Sequence, residues 1–152
     1  MNSVLVEQQQ LDDIIQQLGN RAQVEVLETI SYRDQQFPIY SIAIGSQRDD
    51  VPVIAYFGGV HGLEKIGTEV LLAYLQTLAN LLDWDQELNR RLEHARLLFV
   101  PIINPVGVFY GTRCNGNGVD LMRNAPIEGI GKTKLYSGHR ISPRLPWYRG
   151  EP

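Results

Sequence analysis

The sequence has little cysteine, no long apolar run and no excess of positive charge. A single cysteine, Cys114, excludes an internal disulfide framework. No apolar run reaches the roughly 18 residues that a membrane span needs, and the first residues lack the charged and apolar regions of a signal peptide. With a formal net charge of -3 and no basic stripe, nothing favours nucleic acid as a partner. We therefore expect a cytoplasmic protein without a membrane or nucleic-acid partner, and its oligomeric state stays open.

The apolar residues that are present predict an α/β chain. The 152 residues suffice for one domain, and the order of its predicted elements favours a sheet of mixed direction with flanking helices. From Val106 to Pro152 no periodicity lasts, so this region is predicted to be loop-rich. Before it, the periodicity predicts helices over 5–18, 66–82 and 85–95, an antiparallel strand pair over 22–30 and 37–45, and buried strands over 51–59 and 95–105.

The stretch GGVHGLE, residues 58–64, follows one of the predicted buried strands. Residues at i and i+3 share a face of a helical turn, so His61 and Glu64 can reach one Zn²⁺ together. The glycines would let the backbone turn sharply and leave room for a substrate. The alternative is a plain strand-to-helix turn in which Glu64 favours the helix N-terminus electrostatically. On this short pattern alone, the alternative is favoured.

A second stretch, residues 104–126, begins at the end of the other buried strand and contains Arg113, Asp120 and Arg123. Arginine suits a carboxylate or a developing oxyanion, because its guanidinium group keeps its charge. Asp120 can accept the outer N–H of a metal-bound histidine and fix its tautomer. The alternative is a solvated loop with ordinary surface arginines. Ligands of open α/β sheets gather beyond the carboxyl ends of strands, where both stretches are expected to lie.

Together, the two stretches resemble the zinc carboxypeptidase (carboxypeptidase A-like) family. GGVHGLE is similar to its H-x-x-E zinc motif, and NPVGVFYGTR…NGNGVDLMRN is similar to its N-P-D-G…R…G-V-D-L-N-R-N block. YRGEP, at 148–152, resembles the start of a further family segment. The glycine-rich forms are closest to bacterial peptide-amidase and carboxypeptidase members, and they are also similar to the succinylglutamate desuccinylase and aspartoacylase branch. The resemblance implies the phosphorylase/hydrolase-like fold of zinc carboxypeptidases.

The resemblance also implies roles for individual residues. His61 and Glu64 match the first two zinc ligands, and Asp120 matches the carboxylate that supports the zinc histidine. Arg113 matches the catalytic arginine that polarises the scissile carbonyl, and Arg123 matches the arginine that binds the substrate's terminal carboxylate. In the family, zinc and a glutamate general base activate a water that attacks the amide carbonyl. A zinc metallopeptidase acting on a peptide or an N-acyl amino acid is therefore expected.

The sequence departs from the family pattern in two ways. Met122 stands where the family has asparagine, which puts specificity for a terminal carboxylate in question. The family's third zinc ligand and general base lie further downstream than Pro152. We therefore expect a single partial domain over 1–152, the N-terminal part of a truncated catalytic domain, inactive by itself. His94 is predicted to be a surface histidine, and His139 is a weak candidate for the third ligand.

Two other functions stay open at this point. A zinc deacylase or amidase of the desuccinylase and aspartoacylase type would share the zinc motif, and Met122 slightly favours such altered specificity. A non-catalytic domain that keeps the fold as a binding module is the alternative from another functional class.

Overall fold

A computed structural model describes residues 5–124, and within this range it confirms the mixed α/β architecture. A short 3₁₀ turn, Gly19–Arg21, links the first helix to the first strand. In chain order the elements are α1 (Val6–Leu18), β1 (Ala22–Tyr32), β2 (Gln35–Gly45), β3 (Val53–Phe57), α2 (Ile66–Leu81), α3 (Gln86–Leu92), β4 (Arg96–Val100) and α4 (Pro105–Tyr110).

The described strands form one sheet in the order β1-β2-β4-β3. β2 is antiparallel to both of its neighbours, whereas β3 and β4 run parallel. Phe57 at the end of β3 pairs with Val100 at the end of β4. The two strands therefore end level with each other, and the segments that follow them leave the sheet at the same edge. This register brings the two motifs together.

The turn between β1 and β2 is tighter than the sequence pattern predicts. Only Arg33 and Asp34 lie outside the strands, with φ of 47° and 61°. Two consecutive residues with positive φ are typical of the type I′ turn, whose twist matches that of the flanking strands. Tyr32 and Gln35 therefore pair across the hairpin, directly beside the turn.

α1 and α2 cover one face of the sheet and supply most of its core. Leu11 and Ile14 of α1 and Leu72 and Leu75 of α2 are each at most 1% exposed. They pack with Phe99 of β4, which is fully buried. Burying one such side chain is worth roughly 1.5–3 kcal/mol, so this face dominates the stability of the described fold.

β3 is not the buried strand that its apolar run predicts. Val53, Ile54 and Phe57 are 49%, 52% and 61% exposed. Tyr56 is the exception, since its ring stacks on Phe99 with the centroids 5.0 Å apart. Within residues 5–124, β3 pairs on one side only and lies at the edge of the sheet. A continuous apolar run indicates a strand, but it does not indicate whether the strand is central.

α4 is also absent from the pattern-based prediction, which placed irregular structure from Val106 onward. Asn104 caps this helix by accepting a hydrogen bond from the Gly107 N–H, and Pro105 occupies its first turn. Gly111 ends it with φ of 63°. The rest of that region, residues 125–152, includes His139 and the YRGEP segment and lies outside the described residues.

None of the helices described between residues 5 and 124 has the length and apolar character required to cross a membrane.

Candidate metal centre

The two motifs meet at the carboxyl edge of the β3–β4 pair. His61 lies in the turn between β3 and α2, and Asp120 lies in the loop after α4. The His61 Nε2 atom is 3.2 Å from the Asp120 Oδ1 atom. Both side chains are shielded from solvent, at 11% and 0% exposure. The sequence separates these residues by 59 positions, and the parallel strand ends bring them into contact.

The other ring nitrogen of His61 faces Glu64. The His61 Nδ1 atom lies 3.4 Å from the Glu64 Oε1 atom, at the i, i+3 spacing that the sequence predicts to share a face. The Glu64 N–H donates to the His61 carbonyl, which closes the turn between them. When the imidazole proton is on Nε2, it is donated to Asp120, and the lone pair of Nδ1 points to the same side as the Glu64 carboxylate.

This arrangement fits two ligands of a zinc ion. Ligand atoms at about 2.0–2.2 Å from a tetrahedral zinc lie about 3.3–3.6 Å from each other, and the Nδ1–Oε1 distance falls within that interval. Imidazole nitrogen and carboxylate oxygen are both common zinc ligands. Asp120 cannot serve as a third ligand in this geometry, because its oxygens bind Nε2 and the guanidinium groups. Within residues 5–124, no three histidine, cysteine or acidic side chains are grouped to hold a metal.

Arg113 links the two carboxylates of the site. Its Nε atom donates to Asp120 Oδ2 at 2.9 Å, and its Nη1 atom donates to Glu64 Oε1 at 2.9 Å. The same Glu64 oxygen therefore faces both His61 and Arg113. Arg113 is 25% exposed and Glu64 is 52% exposed, so this side of the cluster is open to solvent. The guanidinium group of Arg113 is partly accessible from that side.

Asp120 is the buried centre of the cluster. In addition to its contacts with His61 and Arg113, Asp120 accepts a hydrogen bond from the Met122 N–H at 3.2 Å. The Arg123 Nε atom lies 3.4 Å from its Oδ2 atom. Burial by itself raises the pKa of Asp120, but hydrogen bonds and charge from Arg113, followed by those from His61, outweigh burial and leave the pKa lowered. Asp120 is therefore ionised at neutral pH and acts as an acceptor.

The remaining residues predicted for the site lie around this centre. Arg123 is 29% exposed and is placed beside Asp120 through its guanidinium group and through its backbone N–H, which donates to the Asp120 carbonyl. The Met122 side chain points outward and is 62% exposed. His94 is exposed just beyond α3, before the start of β4, and is therefore at the opposite end of the sheet, as predicted for a surface histidine.

Gly62 lets the two motifs touch, a role that the sequence pattern does not indicate, and Gly59 shapes the turn between β3 and α2. A Cβ atom at Gly62 would lie 1.8 Å from the carbonyl carbon of Gly107, so the two backbones touch directly. Gly62 therefore makes room for α4 rather than for a substrate. Gly59 has φ of 63°, consistent with the sharp turn predicted for this stretch. Its Cβ would also meet the Thr68 hydroxyl at 2.6 Å.

Asn104, which the sequence pattern places in the last residues of the predicted strand over 95–105, is a positioning residue. Its side chain is buried and makes two hydrogen bonds, accepting from the Gly107 N–H and donating to the Val60 carbonyl at 3.2 Å. It thus links the turn that carries His61 to the first turn of α4. The signal for it was available, since asparagine followed by proline is a common start of a helix.

A family model for zinc carboxypeptidases, Peptidase_M14, matches residues 9–149. Among curated proteins, carboxypeptidase SOL1 of Arabidopsis thaliana is 32% identical over 95 residues, which cover 60% of this chain and 19% of that protein. Carboxypeptidase E of Caenorhabditis elegans is 33% identical over 100 residues, covering 57% of this chain and 21% of that protein. This chain therefore matches only about a fifth of the length of these relatives.

Solved structures show the same fold. A metallo-carboxypeptidase from Burkholderia cenocepacia superposes with a TM-score of 0.61 at 23% identity, covering 78% of this chain and 32% of that chain. This likeness shows the fold, and the family match, which extends over almost the whole sequence, shows the family. The chain belongs to the zinc carboxypeptidase family.

Proposed function

We propose that His61 and Glu64 form the zinc-binding corner of a hydrolase that cleaves an amide bond near a terminal carboxylate. The observation that supports the proposal is the orientation of His61. Its Nε2 atom faces a buried carboxylate, and its Nδ1 atom faces Glu64 at a separation suited to a shared tetrahedral ion. Family membership agrees with a metallopeptidase-like hydrolase.

The roles of the chain's own residues follow from their contacts. His61 and Glu64 would hold the zinc, which when bound supplies Lewis-acid polarisation of a carbonyl and activation of a water. Asp120 keeps the proton of His61 on Nε2 and makes the imidazole a better ligand, because an ionised, buried acceptor favours that tautomer.

Arg113 would stabilise negative charge on the substrate. Its Nε atom is fixed by buried Asp120, whereas its Nη1 atom binds the more exposed Glu64. Substrate binding can therefore replace the contact with Glu64 while Asp120 keeps the guanidinium oriented. Removing a single donor to an oxyanion typically lowers kcat by about 10²–10³-fold. Arg123, on the other side of Asp120, would bind the terminal carboxylate of the substrate.

We propose further that this chain by itself binds zinc weakly and turns over no substrate. Catalytic zinc sites use three protein ligands, and residues 5–124 contribute two to this site. The chain also spans only a small part of its carboxypeptidase relatives.

Zinc binding to the purified chain tests the metal site. Competition against a chromogenic chelator is expected to give a weak site that His61→Ala removes and that His94→Ala leaves intact, because His94 is exposed at the other end of the sheet. Equal zinc affinity of the His61→Ala variant and the unchanged chain would contradict the proposal. Hydrolysis of a peptide by the zinc-loaded chain alone would contradict the expected inactivity.

Met122 favours a second candidate function, that of a zinc deacylase or amidase of the succinylglutamate desuccinylase and aspartoacylase type, with an altered carboxylate specificity. A thioether donates no hydrogen bond, so the neighbour of Arg123 cannot help to bind a carboxylate through its side chain. The Met122→Asn variant is expected to bind a peptide with a free C-terminus more tightly than the unchanged chain does, with no gain for the amidated peptide. No gain for either peptide would exclude Met122 as the determinant of specificity.

A further inference from the structure

A cavity lies next to the candidate metal centre along the chain, between the β1–β2 turn and the loop after α4. Its volume is about 370 Å³. The loop approaches the hairpin closely, since a Cβ atom at Gly116 would lie 2.8 Å from the Tyr32 ring. The residues that give the cavity its chemical character are Tyr32, Arg33, Tyr110, Thr112, Cys114 and Gly116.

Arg33 is the charged residue of this cavity. Its guanidinium carbon lies 5.3 Å from the centroid of the Tyr32 ring and 5.2 Å from that of the Tyr110 ring. The two rings meet edge to face, with their centroids 5.5 Å apart. Contact with aromatic faces restrains the guanidinium group while leaving its N–H donors free to bind an anion. The cation is therefore held at a fixed position in the wall of the cavity.

The backbone at Arg33 is unfavourable for an arginine. Its φ of 47° lies in the left-handed region, where asparagine or glycine is the usual choice in a type I′ turn. A strained residue persists where its surroundings over-determine it, and such positions are concentrated at ligand sites. Here the Arg33 side chain contacts two rings and lines a cavity. These contacts favour a role of its guanidinium group in binding a ligand.

The charge of the cavity favours an anionic ligand. Among the described residues that line it, Arg33 is the single charged side chain, and no carboxylate within residues 5–124 forms an ion pair with it. Tyr32 and Tyr110, which also line the cavity, each carry a hydroxyl that can donate a hydrogen bond. The cavity is thus suited to a carboxylate.

The cavity also adjoins the candidate active site along the chain. Thr112 and Cys114, which line it, are the two neighbours of Arg113, and the Thr112 hydroxyl donates to the Cys114 carbonyl. We propose that this cavity binds a side-chain carboxylate of an acidic peptide substrate, at a position away from the bond that is cut. This assignment rests on the proposed hydrolase function and specifies its substrate class.

Binding of an acidic dipeptide to the chain without zinc tests the inference. The probe is an N-acetylated, C-amidated glutamyl-alanine, compared with its glutaminyl isostere, so that one side-chain carboxylate is the only difference. Backbone amide shifts of Gly116 and Gly118, which line the cavity, report binding by NMR. Protection of Cys114 from alkylation is a second readout, because the chain has a single cysteine. The acidic peptide is expected to bind about tenfold more tightly.

Arg33→Asn is the informative variant. Asparagine tolerates the left-handed backbone, so the turn is preserved while the cation is removed. The preference for the acidic peptide is expected to disappear in this variant and to persist in the control Arg48→Asn, which removes an exposed arginine from the loop before β3. A wild-type chain without the preference, or an Arg33→Asn variant that keeps it, would overturn the inference.

A different measurement, the zinc affinity of the His61→Ala variant, tests the proposed hydrolase function. Zinc affinity that is insensitive to His61→Ala, together with an intact preference for the acidic peptide, would contradict the metal site and leave the anion-binding cavity established.

Discussion

Two clusters of arginine and carboxylate groups in this molecule have similar chemistry and opposite surroundings. On α3, Glu87 pairs with Arg90 and Arg91, and the three side chains are 51–74% exposed. At the edge of the sheet, Arg113 pairs with Asp120, which has no exposed surface. In both clusters the pKa of the acid is lowered, for Glu87 chiefly by its hydrogen bonds to Arg91 and Arg90. A lowered pKa therefore does not by itself distinguish a functional site.

The difference lies in what else the carboxylate contacts. Glu87 contacts residues three and four positions away on its own helix, and such exposed helical pairs contribute little to stability. Asp120 contacts His61, 59 positions away, and Arg113 contacts Glu64, 49 positions away. Groups so distant in sequence meet only when the fold is complete. The geometry of the buried cluster therefore depends on the whole sheet, and that of the exposed cluster depends on one helix.

The largest expected effect comes from separating the two motifs. Gly62→Ala places a methyl group within 1.8 Å of the Gly107 backbone, so the His61 turn or α4 must move. Because backbone cannot relax as a side chain does, we expect a loss of about 3 kcal/mol or more in the free energy of unfolding, together with loss of zinc binding. Urea denaturation measures the first effect.

Gly111→Ala is the matched control for that substitution. Unlike Gly62, Gly111 has a positive φ, of 63°, but its added Cβ would meet nothing within 4 Å. The expected cost is the conformational strain alone, about 1 kcal/mol, with zinc binding retained. Equal losses at the two positions would show that the backbone contact of Gly62 has no special importance.

Asp120→Asn should produce the next largest effect. It removes the charge that Arg113 and His61 face, and the partners are themselves mostly buried. Breaking a buried pair costs about 3–5 kcal/mol, and the 25% exposure of Arg113 reduces the expected value to about 2–3 kcal/mol. Glu87→Gln, in the exposed cluster, should leave the urea midpoint unchanged. A midpoint shift for Glu87→Gln as large as that for Asp120→Asn would refute the comparison.

The stability difference between the unchanged chain and Asp120→Asn should depend on pH. The pKa of Asp120 is lowered by folding from its ordinary value of 3.8, so the folded state binds this proton more weakly than the unfolded state does. The stabilisation is therefore fully present above that value and is lost as pH falls through the lower folded pKa. Unfolding curves of both chains between pH 7 and pH 2 should converge at the acid end. A constant difference down to pH 2 would contradict the ionised state of Asp120.

The sequence predicts most helices and strands well, but it does not predict which of them lie next to each other in the fold. The strand runs over 51–59 and 95–105 and the helix over 66–82 were predicted because their apolar patterns are long. α4 was missed because six residues are too few for periodicity, although Asn104 and Gly111 mark its two ends.

What the sequence cannot predict is set by contacts between distant residues. The exposure of β3 depends on the strand order, and the contact of Gly62 with Gly107 depends on the register of two strands. The motif resemblance identified His61, Glu64 and Asp120 as one group, and the structure brings them together. The roles of these three residues at a zinc ion stay predictions. The predictions for residues 125–152, which include His139 as a weak candidate ligand, also stay predictions.

The smallest expected effect is on stability at the hairpin turn, where Arg33→Asn replaces a residue that is strained at φ of 47°. Asparagine adopts this backbone more readily, but the two ring contacts of the guanidinium group are lost. Relief of strain is worth about 1 kcal/mol and the two exposed cation–π contacts together about 1–2 kcal/mol, so the free energy of unfolding should fall by no more than about 1 kcal/mol. Thermal and urea unfolding measure the change.

Near-neutral stability combined with loss of acidic-peptide binding would mean that Arg33 is required for the ligand rather than for the fold. A large destabilisation would instead assign the aromatic contacts of Arg33 a structural role rather than a role in binding a ligand.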